Sequence, residues 1–344
     1  MPFSVRDALT LLLAAAGGAV FAWAGLPAPW LSGGMVAVTA AVLAGFRAEL
    51  PARLRDLVFV LLGISMGAGI SPESVARIAE WPLSLAGLGL GVAAMIASGA
   101  VYLRRVEGWD EATALLASVP GAMAHVMAVT AASVADVRRV ALSQSFRVFV
   151  LVALLPITIR SVSAPAGIGP APRAVPLLDG SPALGLMLAA GIAGALLLQR
   201  LRVPAGLLMG GMAASALLHG AGVVAMPLPP WLLIPGSTAL GAFVGARFKG
   251  TDFALIRSTM RAALGSLVLA FAVAAGFAFA VSAALSLPFG QVLLAFAPGG
   301  IEAMTFMAFI LGLDPGYVGG HQLLRFIGLA LLVPVIARRH LVRP

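Results

Sequence analysis

Long apolar runs separated by short basic tufts set the pattern of this chain. Such runs lie near 9–24, 30–46, 56–70, 82–103 and 138–160, and again near 182–199, 204–220, 230–247, 261–285 and 316–336. Most have the roughly 17 to 23 residues with which a helix covers a bilayer core, and charges within them are sparse. Two further stretches, 111–133 and 289–311, are interrupted by Pro120-Gly121 and Pro298-Gly299. Each side of such a break holds only about ten residues, or roughly 15 Å of helix, half the hydrocarbon thickness. These stretches are expected to be re-entrant hairpins or discontinuous helices.

The whole order of elements occurs twice. Asp136, Gln144, Arg147 and Pro156 recur 178 residues later as Asp314, Gln322, Arg325 and Pro334. LPAPWLSGGM (Leu26 to Met35) returns as VPAGLLMGGM (Val203 to Met212), and Gly63 and Gly67 return as Gly241 and Gly245. Polar residues matched at one offset in an apolar chain indicate tandem duplication, a hallmark of membrane transporters. The expected organisation is a first membrane repeat over 1–160, a Pro/Ala/Gly-rich linker over 161–180 and a second repeat over 181–344.

Composition agrees with a protein dissolved in lipid, at 61% hydrophobic and 10% charged residues with a mean hydropathy of +1.05. The absence of cysteine from the sequence excludes disulfides, thiolate metal sites and cysteine nucleophiles. Net charge +9 would suit nucleic acid if it formed one patch, but the basic residues fall in tufts between apolar runs. Arg6, the run behind it and Ala22-Trp23-Ala24 imitate a cleavable secretory signal. The matching run at 183–198 lies mid-chain, so the first is read as a retained span.

Basic residues also choose a topology, because short cytoplasmic loops are enriched in Lys and Arg. With both broken stretches re-entrant and the N-terminus inside, only Arg77, Arg160 and Arg173 fall outside. Twelve full crossings would move Arg138, Arg139, Arg200, Arg202, Arg247, Lys249, Arg257 and Arg261 outside as well. The expected fold is an all-α integral membrane protein of two inverted repeats, about ten transmembrane helices plus two re-entrant or broken hairpins, with both termini cytoplasmic.

Arg147 and Arg325 lie about nine residues into their helices, roughly 13 Å deep, where an unpaired arginine costs about 3 kcal/mol or more. Gln144 and Gln322 precede them by three residues and share their helical faces. Two readings follow. Either the two Gln-x-x-Arg faces bind an anionic solute such as a carboxylate, or each arginine caps carbonyls at its own hairpin tip. Pro120, Gly121, Pro298, Gly299 and Gly300 leave backbone groups unpaired at depth, which suits a solute cavity or tight packing. The helix starts beyond them, at 122–124 and 300–302, would offer partial positive charge to an anion.

Glu302, with Ala124 as its counterpart, is read either as a coupling group for a proton or sodium or as a static partner of Arg325 or Arg147. His125 and His321 are further coupling candidates, against the plainer reading of locally bonded histidines. Asp136 and Asp314 read as helix N-caps, the second followed by Pro315. Gly33-Gly34, Gly210-Gly211, Gly63 with Gly67 and Gly241 with Gly245 read as close-packing positions. Trp30, Trp81, Trp109 and Trp231 fall near span ends, as interfacial anchors do.

In order along the chain stand PAPWL-x-GGM, ASVPGAM and ADVRRVAL-x-Q-x-x-R, then PAG-x-L-x-GGM, APGGIEAM and LGLDP-x-x-V-x-x-HQ-x-x-R. Over nearly its whole length the chain thus resembles the AbrB-duplication family of bacterial inner-membrane proteins. Members carry the names transcriptional regulator and ammonia monooxygenase. Neither suits these residues, since the histidines at 125, 219, 321 and 340 are dispersed and no segment forms a soluble basic module. The family's usual glutamate in the break motif is replaced by His125 in the first copy and displaced by one position, as Glu302, in the second. The expected function is secondary transport of a small anionic organic solute, not enzymatic and without cofactor, with H+ or Na+ as candidate coupling ion. A membrane sensor acting indirectly on gene expression is the alternative. Expected partners are the bilayer and the solute, with a homo-oligomer left open and nucleic acid excluded.

Overall fold

The computed structural model describes residues 4–69, 81–121, 123–162, 182–224, 228–249 and 253–340. Most of the expected linker, together with Arg77, Ala122, Arg173 and Arg343, lies outside the described residues. Those residues form helices and connecting turns, with no strand among them. The first half contains α1 (Val5–Trp23), α2 (Pro29–Leu43), α3 (Ala52–Gly67), α4 (Trp81–Arg105), α5 (Glu111–Ser118), α6 (Met123–Ala131) and α7 (Val137–Val162). The second contains α8 (Pro182–Arg200), α9 (Gly206–Gly220), α10 (Pro230–Gly245), α11 (Phe253–Leu285), α12 (Phe289–Phe296), α13 (Ile301–Ile310) and α14 (Pro315–His340).

Six of these helices, α1, α4, α7, α8, α11 and α14, are long and apolar enough to cross a membrane. Their outer faces leave Leu12, Val20, Leu90, Leu197, Val268 and Phe279 exposed. Apolar surface on this scale fits hydrocarbon and would aggregate in water, so the chain is a membrane protein. Helices α2, α3, α9 and α10 are shorter, at 15 or 16 residues, which spans only about 22–24 Å. They are better enclosed by protein than α1 and α8, with Leu31, Met35, Val38, Leu62, Ile64, Met66, Leu208, Leu240 and Ala242 buried.

The helices divide into two compact units, each drawing segments from both halves of the chain. One unit comprises Met1–Ala79, Val152–Lys249 and Glu302–Gly319. In it α1 packs on α2 as α8 packs on α9, α2 packs on α10 as α9 packs on α3, and α3 meets α10. Small residues bring the backbones together. A Cβ added at Gly63 or Gly67 would lie under 3.0 Å from the carbonyls of Leu208 or Met212 on α9. One added at Gly241 or Gly245 would meet those of Leu31 or Met35 on α2 in the same way. Gly17 faces Gly33 across the α1–α2 contact, and Gly194 faces Gly210 across the α8–α9 contact. Entry turns recur as well. Ala28 before α2 and Ala205 before α9 both take left-handed φ, 53° and 52°, while Pro51 and Pro229 cap α3 and α10 in extended conformations.

A proline inside α7 supplies a further cross-tie. Pro156 has no N–H, so the Val152 carbonyl four residues earlier loses its helical partner. The Ser32 hydroxyl on α2 donates to that carbonyl at 2.9 Å.

The second unit comprises Glu80–Leu151, Gly250–Ile301 and Gly320–Pro344. Its long helices α4 and α11 pack together, and each also carries the short helix that follows it, α5 on α4 and α12 on α11. A polar clamp joins the pair. Arg261 on α11 donates from Nε to both Glu107 oxygens at 3.1 Å and from Nη2 at 2.9 Å, and Tyr102 Oη donates to the same carboxylate at 2.9 Å. Glu107 sits in the turn after α4, and the Arg261 guanidinium holds its carboxyl below the ordinary value of 4.5.

Three of the tryptophans read as anchors pack on protein: Trp30 against Gly18, Trp81 against Gly320, and Trp109 beneath Arg139, 5.5 Å from its ring centroid. Trp231 remains about half exposed.

Three consequences can be measured by thermal denaturation in detergent. Gly63→Leu or Gly241→Leu drives a side chain into backbone and lowers stability by about 1–3 kcal/mol or more. Ser32→Ala strands the Val152 carbonyl at about 1–3 kcal/mol. Because Glu107 titrates lower in the folded state, its contribution is complete above the unfolded value and disappears as pH falls through the folded one. Wild type therefore loses a stability increment on acidification below about pH 4.5 that Glu107→Gln lacks at every pH. The increment is small because Arg261 is largely exposed.

Candidate functional site

Each broken stretch parts at its proline. The residue before a proline is driven out of the helical region, and Val119 and Ala297 accordingly adopt extended ψ values of 123° and 136°. Gly121 then takes φ 86°, a left-handed turn that favours glycine. The helix resumes at Met123 in the first break and at Ile301 in the second. Both C-terminal ends, of α5 and α12, thus present carbonyls that no helical N–H can reach.

Side chains from the following long helix satisfy them. In the first half Gln144 Nε2 donates to Leu116 O at 3.2 Å and Val119 O at 2.9 Å. Arg147 donates from Nη1 to Val119 O at 2.8 Å and from Nη2 to Ala117 O. In the second half Gln322 Nε2 serves Leu294 O at 2.9 Å and both Ala295 O and Ala297 O at 3.3 Å. Arg325 donates to Phe296 O at 3.5 Å, Ala297 O at 2.6 Å and Gly299 O at 2.8 Å, and to Gln322 Oε1. These are the bonds of the capping alternative, repeated at both breaks.

The two breaks also meet. A Cβ on Gly121 would stand 3.4 Å from Arg325 Nη2 and 3.4 Å from Gly299 O, so the first turn rests against the second arginine and its carbonyl. Gln144, Arg147, Gln322 and Arg325 are all buried, with 2%, 3%, 0% and 6% of their surfaces exposed. Arg325 feels the positive charge of Arg147, and among the described residues no carboxylate forms an ion pair with either. Carbonyl dipoles solvate the guanidinium groups but do not cancel their charge. The geometry can therefore accept an anion.

The coupling candidates separate. His321 is fully buried, bonded to the Ser84 hydroxyl and tilted against Trp81 with ring centroids 5.4 Å apart. His125 is exposed and meets Phe326 edge-on at 5.2 Å. Glu302 belongs to the other compact unit, is half-buried and lies within electrostatic reach of Arg247. No ion pair within 4.0 Å includes it among the described residues.

Asp136 and Asp314 act as helix caps. Asp136 Oδ1 accepts from the N–H groups of Arg138 at 2.9 Å and Arg139 at 3.1 Å, while Asp314 Oδ1 accepts from those of Gly316 at 2.8 Å and Tyr317 at 3.1 Å. Ser143, which no sequence motif marks, is buried with a hydroxyl that has no partner among the described residues. It stands four residues before Arg147 and aligns with His321 in the repeat, the one signal of its place.

Fold and site together define a helical membrane protein in which two interrupted helices are each bridged by a buried Gln-x-x-Arg face. The chain belongs to the AbrB family: the family described as transition state regulatory protein AbrB matches residues 30–340. It is similar to a protein of Escherichia coli (strain K12) named "Putative regulator AbrB", 27% identical over 91% of this chain and 90% of that protein. A protein of Bacillus subtilis (strain 168) named "Uncharacterized protein YhjN" is 25% identical over 97% of this chain and 93% of its own length. No solved structure matches the chain.

Removing one bridge should be costly. Gln322→Leu leaves buried carbonyls at the second break short of a donor, and thermal denaturation in detergent is expected to register a loss of about 1–3 kcal/mol.

Proposed function

We propose that the chain is a secondary transporter of the bacterial inner membrane that carries a small anionic organic solute. One observation carries the reading: two guanidinium groups, buried and without a carboxylate ion pair among the described residues, bridge two helix breaks that meet at Gly121 and Gly299. A protein spends this much desolvation on cations where an anion completes the site. Broken helices are a recurrent way of lining a solute path in transporters built from inverted repeats. The repeated entry turns, glycine contacts and break-bridging bonds support a duplicated architecture of about ten transmembrane helices plus two re-entrant or broken elements. The charge tufts favour inverted halves with both termini in the cytoplasm. In this reading Arg147 and Arg325 attract the solute, Gln144 and Gln322 hold the breaks in shape, and Pro120, Gly121, Pro298, Gly299 and Gly300 line its path. Glu302, His125 and His321 are the candidate coupling groups for H+ or Na+.

The E. coli relative's name supports a second reading, a membrane sensor that influences gene expression through a partner. Flux separates the two. In proteoliposomes, wild type should take up small organic anions saturably and in response to an ion gradient. The Arg147→Ala, Arg325→Ala double variant, checked for folding by gel filtration, should lose roughly tenfold or more of the initial rate, about 1.4 kcal/mol or more. Undiminished uptake by the double variant removes the proposed role of the arginines. Ligand-induced thermal shifts without flux would favour the sensor.

A further inference from the structure

The two arginines are related by the repeat but not by their bonds. A guanidinium carries five N–H donors. Arg325 engages three carbonyls and the Gln322 amide oxygen from its two terminal nitrogens, and Gly121 of the other break lies against it. Arg147 engages only the carbonyls of Val119 and Ala117. Its Nε–H and one hydrogen on each terminal nitrogen have no protein acceptor among the described residues. Gln144, unlike Gln322, does not accept from its arginine.

The second observation is the Ser143 hydroxyl, 3% exposed with no hydrogen-bond partner among the described residues. Four residues before Arg147, it shares the arginine's helical face, with Cβ atoms about 5–6 Å apart. Its counterpart in the repeat, His321, is bonded to Ser84. An unpaired buried hydroxyl one helical turn before an arginine with donors to spare marks an incomplete site. We infer that Arg147 and Ser143 form the carboxylate-docking point of the chain, whereas Arg325 is a positioning residue that staples the two breaks together. Nε–H and a neighbouring terminal N–H make the fork that meets both oxygens of a carboxylate, and the Ser143 hydroxyl donates to one of them.

This inference rests on the transporter reading only for what happens after docking, and its test needs no flux. Wild-type protein in lipid nanodiscs is treated with phenylglyoxal, which adds to guanidinium groups, and modification is mapped by mass spectrometry with exposed Arg160 as internal reference. Arg147 should be modified ahead of Arg325, and succinate, sulfate or inorganic phosphate should slow the reaction at Arg147 alone, succinate most. Arg325 reacting as fast as Arg147, neither residue reacting, or protection by none of the three probes overturns the assignment. Better protection by sulfate or phosphate than by succinate overturns the carboxylate class. Ser143→Ala, compared with its own unprotected rate, should weaken succinate protection by about threefold to tenfold, and unchanged protection removes Ser143 from the site. A protein that passes yet moves no solute keeps the docking point and loses the transporter reading, while flux with unprotected Arg147 does the reverse.

Discussion

A backbone carbonyl released from its helix inside an apolar environment must find a donor, and that constraint organises this molecule. Breaking a helix at a Pro-Gly step frees several carbonyls at once, where water is scarce and each orphan costs several kcal/mol. The chain answers in the same way twice, with an amide and a guanidinium one helical turn apart on the next long helix. The same logic recurs at Pro156, where a serine from another helix takes up the released carbonyl.

That solution creates the next problem, which is charge. Satisfying carbonyls with arginine introduces cations into a region that penalises them, and the carbonyls return only partial charge. Glutamine alone would have met the hydrogen-bonding need without this penalty, so the arginines require a reason beyond capping. The absence of a paired carboxylate among the described residues leaves room for a mobile anion rather than a resident one.

The sequence made some of this legible and hid the rest for physical reasons. The helices fall close to the apolar runs, and the Pro-Gly breaks, the aspartate caps and the close-packing glycines at 63, 67, 241 and 245 are where their residue types pointed. Such features act through a residue's own backbone or size, which the sequence states directly. What a side chain meets across space is not stated. The carbonyls that accept from Arg147 and Arg325 carry no mark in the sequence, since every residue has one. Ser32 over Val152, Trp81 against Gly320 and the clamp of Arg261 on Glu107 join positions far apart in the chain. The compact units cut across the two halves, because the helices of one half pack on those of the other.

The E. coli relative is named a putative regulator, and the physical properties of this chain bear on whether it could hold DNA directly. DNA is held by phosphate contacts from a concentrated basic surface. Here the basic residues are divided among short connections between helices, and the most deeply placed ones are occupied with carbonyls. A membrane protein that changes the internal concentration of a small effector alters transcription without touching a promoter, and loss of the carrier then resembles loss of a regulator. A regulatory phenotype is in that sense compatible with a carrier, and only flux distinguishes a carrier from a sensor that binds without moving its ligand.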